Sequence, residues 1–165
     1  MLIDTLQRLL VFIVILLAQG LVLNRIQLFG CAVPLLYVYF PIIFPRNYPK
    51  WASLLWAFAL GLGVDMFANT PGRAAASTTL VAALQPYILE LFLPREAEEH
   101  LRVGAATLGY GKFSSMTIIL VAIFCIVFFA LEAFSLGEWL HALICAGGSA
   151  VLTIILILSL ESLRR

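Results

Sequence analysis

Apolar positions in this chain fall in long, nearly unbroken runs rather than in strict alternation or short amphipathic windows. A helix that spans a bilayer needs about 20 mostly apolar residues. Six runs approach that length, at roughly 6–23, 31–45, 51–68, 73–93, 114–134 and 138–160. They predict an all-α fold, a polytopic transmembrane bundle of six helices, with residues 1–165 as a single integral membrane domain. The first run resembles a signal peptide in length. Asp4 and Arg8 in its lead, and the lack of a small-x-small cleavage site, predict an uncleaved helix instead. The second run is short and holds Pro34, Pro41 and Pro45. Each proline removes a backbone donor, and in hydrocarbon the lost bond must be replaced by a neighbour. This segment is expected to be broken or shielded by protein.

The charged connections set the expected orientation. Arg8, Arg46, Lys50, Arg95, Arg102, Lys112, Arg164 and Arg165 fall on one side of a six-span arrangement, and only Arg25 and Arg73 on the other. The positive-inside rule then puts both termini in the cytoplasm. With five spans the asymmetry collapses. A cytoplasmic loop is expected at about 94–113. It is either a short interfacial helix starting at Pro94, with Glu96, Glu98 and Glu99 near its positive end and Leu101 and Leu108 on an apolar side, or a solvated connection.

Composition sharpens the class. The chain is 63% hydrophobic and 12% charged, against about 45–50% and about 25% in soluble domains. With a mean hydropathy of +1.07, membrane lipid is the solvent that suits its surface. Net charge is +1 with no basic stripe, so nucleic acid is not an expected partner. Cys31, Cys125 and Cys145 lie scattered in apolar runs and read as small buried hydrophobes.

Asp65 is the most informative polar residue, set in GLGVDMFANTPG near the outer end of the third run. Intramembrane acids turn inward and find partners. Asp65 is either a structural group bonding the Asn69–Thr70–Pro71–Gly72 turn or Arg73, or part of a site for a substrate, ion or partner. Asn69, Thr70, Pro71 and Gly72 predict a tight turn between the third and fourth helices. Small residues four apart predict close helix packing: Ala57 and Gly61; Ala75, Thr79 and Ala83; Ala142, Ala146 and Ala150. Arg25, Arg73, Glu132 and Glu138 are the candidate charge partners on the outer side. Glu138 and His141 match half of a carboxylate-bridged metal motif, but one copy does not make a site. Pro86, flanked by Gln85 and Glu90, predicts a kink. Trp51, Trp56 and Trp139, with Tyr37, Tyr39, Tyr48 and Tyr87, read as an interfacial aromatic belt. No zinc-protease, nucleophile-elbow or phosphate-loop motif occurs. No catalytic role, metal or cofactor is expected.

The run IQLFGCAVPLLYVYF, followed by GLGVDMFANTPGRAAASTTLVAALQPYI, resembles the MreD family of rod-shape-determining membrane proteins. The likeness rests on Pro34, on Gly61 and Asp65 four residues apart, on Thr70–Pro71–Gly72, and on the small-residue start of the fourth helix. LGYGKF and the later FFALEAF add to it, so that it covers most of the chain. The resemblance implies a non-enzymatic member of the cell-elongation complex, beside MreC, the MreB filament, and the RodA-type glycosyltransferase with its transpeptidase. It also implies a fold similar to the substrate-binding subunits of energy-coupling-factor transporters. Three prolines in the second segment depart from the family pattern.

Two functions follow as expectations. One is a membrane scaffold that contributes to rod shape and lateral peptidoglycan synthesis by binding MreC and its associates. The alternative is a small-molecule binding subunit of a transporter, with Asp65, Asn69, Thr70, Arg73, Ser77 and Thr78 converging on a ligand. Against the alternative, Ala18 and Gly20 are the only small residues of the first helix, where such subunits dock through alanines four apart.

Overall fold

A computed structural model of the chain describes residues 2–25, 32–69, 72–97 and 101–164. Helix α1 (Leu2–Leu17) continues through a π turn (Ala18–Val22) and a 3-10 turn (Leu23–Arg25). After it come α2 (Tyr39–Ile42), α3 (Lys50–Ala68), α4 (Arg73–Phe92), α5 (Ala105–Leu108), α6 (Tyr110–Leu136) and α7 (Trp139–Arg164). Among the described residues there is no strand.

Among the described residues, five helices are long and apolar enough to cross a membrane: Leu2–Val22, Lys50–Ala68, Arg73–Phe92, Tyr110–Phe134 and Trp139–Arg164. The sixth spanning helix expected over 31–45 is not there. Of that run, residues 33–35 are irregular, Leu36–Val38 is a 3-10 turn, and α2 is a single α-turn. Proline gives the reason. Pro34 brings no amide hydrogen and disfavours helix at Val33, whereas Pro41 is accommodated in the first turn of α2, where a missing amide hydrogen is tolerated.

The segment nevertheless runs the length of the bundle. Helices α1 and α3 lie parallel, with Arg8 over the Tyr48 ring, Phe12 against Trp56, and Gly20 against Phe67. The chain must therefore return between them, and it does so through the interior. Tyr37, Val38, Phe40 and Ile42 are at most 1% exposed. Helices α3 and α4 form an antiparallel hairpin. Asn69 ends α3 at φ 56° and Gly72 enters α4 at φ 74°, a left-handed setting that glycine occupies without strain. Helices α6 and α7 form a second hairpin, closed by Gly137 at φ 74°.

Asp4 and Arg164 line one cleft, so the two chain ends lie at the same end of the bundle. This is called the terminal end below, and the opposite one the hairpin end. Residues 101–105 fold under the terminal end, where Val103 and Ala105 are buried and the Arg46 N–H donates to the Leu101 carbonyl. The short helix lies at Ala105–Leu108 and not directly after Pro94; Glu98 and Glu99 lie outside the described residues.

Bulky side chains cover the outside of the helices, among them Ile3, Leu10, Leu91, Leu143 and Leu163, all more than 60% exposed. Such a surface suits lipid. Trp51 and Trp139 sit on it, but Tyr37 and Tyr39 belong to the interior and not to an aromatic belt.

Candidate binding cavity at the hairpin end

An irregular segment inside an apolar bundle needs its backbone groups satisfied by side chains. Gln19, turned inward by the π turn and fully buried, donates to the Pro34 carbonyl at 3.0 Å and accepts from the Leu36 N–H at 3.0 Å. On α7, the Ser149 hydroxyl accepts from the Val33 N–H and the Thr153 hydroxyl from the Leu35 N–H, both at 3.0 Å. Gln85 on α4 donates towards the carbonyls of Ile42 and Phe44 at 3.2 Å. Glu161 accepts from the Tyr39 hydroxyl at 2.7 Å and from the Ala105 N–H at 2.8 Å. These groups hold the segment between the π turn, α4 and α7, and Val33, Leu35 and Tyr37 form one wall of a cavity.

A second joint fixes another wall. The Asp65 carboxylate caps α4, its two oxygens accepting from the Ala74 and Ala75 N–H groups at 3.0 and 3.1 Å. A helix start exposes amide hydrogens that carry a partial positive charge. One turn earlier, Gly61 lies so close to α4 that a Cβ there would collide with the Ala75 backbone and the Thr78 hydroxyl. Thr78 donates across to the Ala57 carbonyl, 3.0 Å away. Gly61, Asp65, Asn69 and Gly72 thus belong to one interhelical joint; Thr70 and Pro71 lie outside the described residues. Pro34 stands apart from this joint, in the segment held by Gln19.

Between these walls lies a cavity of about 500 Å3 at the hairpin end, within the range of about 300–1,000 Å3 typical of small-molecule sites. Arg25, Arg73, Glu132, Glu138 and His141 all line it. Arg73 pairs with Glu132 at 3.4 Å, the two side chains 20% and 31% exposed, and its guanidinium lies 5.8 Å from the Phe128 ring centre. Deeper, Val33, Leu35, Val64 and Phe129 make the lining apolar. Tyr37 also lines it, and its buried hydroxyl, like the Arg73 Nε, has no hydrogen-bond partner among the described residues. Charged groups above an apolar interior suit an amphipathic molecule.

Among the described members of the polar set expected to converge on a ligand, only Arg73 reaches the cavity lining, and Thr70 lies outside the described residues. Ser77 donates to the Arg73 carbonyl and Thr78 to carbonyls of α3 and α4, while Asp65 caps α4. Among the described residues no group of three or more His, Cys, Asp and Glu side chains stands ready for a metal. Gln19, Ser149, Thr153 and Glu161 were not among the expected site residues, and Tyr37 was expected in an aromatic belt. A signal was present for three of them: Ser149, Thr153 and Glu161 are spaced at multiples of four, a polar stripe on an otherwise apolar helix. No family model, curated protein or solved structure matches the chain.

Proposed function

We propose that the chain is a membrane scaffold of the bacterial cell-elongation complex, of the MreD kind, that binds MreC and contributes to rod shape and lateral peptidoglycan synthesis. The observation that carries the reading concerns the most specific stretch of the resemblance, GLGVDMFANTPG. Its Gly61, Asp65, Asn69 and Gly72 act together as one joint that locks α3 to α4. Those residues specify a rigid shape, and a rigid shape is what a scaffold presents to its partners. MreB, the RodA-type glycosyltransferase and its transpeptidase belong to the same proposed assembly.

The proposed orientation places the terminal end in the cytoplasm. Arg8, Arg46, Lys50, Arg95, Arg102, Lys112 and Arg164 adjoin that end, and Arg25 and Arg73 the other, which accords with the positive-inside rule. Gentle detergent extraction from the native cell tests the assignment. MreC is expected to co-purify, and depletion of the chain should round rod-shaped cells. Unchanged shape together with no MreC recovered overturns it.

A second reading, a small-molecule binding subunit of a transporter, is favoured by the 500 Å3 cavity with its charged lining. Co-purification of a transporter's energising subunit, with uptake of a solute lost on deletion, would select it over the scaffold.

A further inference from the structure

A smaller cleft, of about 130 Å3, opens at the terminal end between α1, α2 and the chain before α5. Arg8, Arg102 and Arg164 line it, with Asp4 as the one carboxylate among its lining residues. The remaining wall is largely apolar, from Val11, Phe40, Ile43 and Phe44.

The arginines keep donors available. Arg8 stands 4.0 Å above the Tyr48 ring, a contact with the ring face that uses none of its five N–H groups. Arg164 donates to the Tyr39 hydroxyl at 3.3 Å through one nitrogen. Arg102 meets Asp4 at 3.4 Å, in a pair whose side chains are 70% and 50% exposed, and exposed pairs of this kind hold weakly. Glu161, the buried acid of this end, already accepts from Tyr39 and from Ala105.

Three guanidinium groups around an apolar wall match a phosphate that carries hydrocarbon. Guanidinium binds phosphate oxygens in forked pairs, and basic pockets between membrane helices hold anionic headgroups. The cleft is sized for a headgroup and not for a whole amphiphile. Ile3, Leu6 and Leu10 of α1, each more than 60% exposed, flank it on the outside of the bundle and offer acyl chains a place to lie. We propose that this cleft binds the phosphodiester headgroup of an anionic phospholipid, with Arg8, Arg102 and Arg164 on the phosphate and Ile3, Leu6 and Leu10 beside the acyl chains. The site is independent of the scaffold reading and of the larger cavity.

Native mass spectrometry of the detergent-purified full chain, mixed with equal amounts of phosphatidylglycerol and phosphatidylcholine, tests the proposal. Phosphatidylglycerol should be retained about tenfold over phosphatidylcholine, since each arginine near a headgroup adds to its attraction. R8Q/R102Q should bring the two lipids to near parity, and R8K/R102K should keep most of the preference. Arg164 is left intact because Tyr39 leans on it. Equal retention of the two lipids by the wild type, or an undiminished preference in R8Q/R102Q, overturns the proposal. Displacement of the lipid by millimolar inorganic phosphate would overturn the lipid assignment in favour of an ion site. Should R8Q/R102Q fail to elute as a folded species, the wild-type ratio and R8K/R102K decide.

Discussion

Gln19 brackets Leu35. Its amide nitrogen donates to the Pro34 carbonyl while its amide oxygen takes the Leu36 N–H, each at 3.0 Å. One side chain thus satisfies the backbone on both sides of Leu35, where neither helix nor sheet supplies a bond. Gln19→Leu keeps the bulk and strands one buried and one part-buried backbone group, at about 1–3 kcal/mol for a buried group left unpaired. Thermal unfolding in detergent should fall well below wild type. An unchanged midpoint would show that the bracket does not hold the segment.

Thr153 offers a matched pair of variants on the other side of the same segment. Thr153→Val removes the acceptor for the Leu35 N–H and should destabilise by about 1–3 kcal/mol. Thr153→Ser keeps the hydroxyl and should stay near wild type. Equal unfolding midpoints for the two would mean that the bond counts for little beside packing.

Gly61 and Gly63 separate close approach from mere smallness. An alanine Cβ at Gly61 meets the backbone of Ala75, which does not give way, and overpacking of this kind costs about 1–3 kcal/mol. At Gly63 the nearest atom is the Leu16 Cδ1 at 2.7 Å, the end of a side chain that can rotate. G61A should therefore lower the yield of monodisperse protein much more than G63A.

Asp65→Ala removes a charged acceptor from two N–H groups of α4, and charge-assisted bonds contribute about 1.5–3 kcal/mol. The variant should unfold at lower temperature. Per unit of folded protein its recovery of MreC should match wild type, because the carboxylate is buried in the joint. Normal stability with MreC lost would move Asp65 from fold to docking surface.

Topology gives a fourth kind of test. Reporters at Asn69 and at Arg95 should report opposite faces of the membrane, and reporters near Asp4 and Arg164 the same face. Ends on opposite faces contradict the return of the chain through the interior.

Hydrophobic run lengths were enough to locate α1, α3, α4, α6 and α7, because helix is what a lone apolar run of 20 residues can form in lipid. The turn after α3 was legible from Asn69 and Gly72 for a similar local reason. The fate of 31–45 was legible only as a warning. Three prolines announce lost bonds, but the partners that replace them come from Gln19, Gln85, Ser149 and Thr153, residues whose local windows read as ordinary helix. Asp65 shows the same limit. Its need for a partner was clear from its surroundings, and which amides it meets depends on how tightly Gly61 lets α4 approach. The sequence placed Arg25, Arg73, Glu132 and Glu138 on one side as charge partners, but the apolar lining from Val33, Leu35, Val64 and Phe129 was not legible, since only the packing of distant stretches brings it beneath them.

The bonds from Val33 to Ser149 and from Leu35 to Thr153 span 116 and 118 positions. During synthesis the proline-rich stretch leaves the ribosome long before the helix that satisfies it exists. Bare amides do not rest in hydrocarbon, so this stretch has to wait in a wet or proteinaceous environment until α7 is made. Truncation before residue 149 should thus leave a nascent chain that engages the insertion machinery without release. A helix translated more than a hundred residues later closes the middle of the molecule.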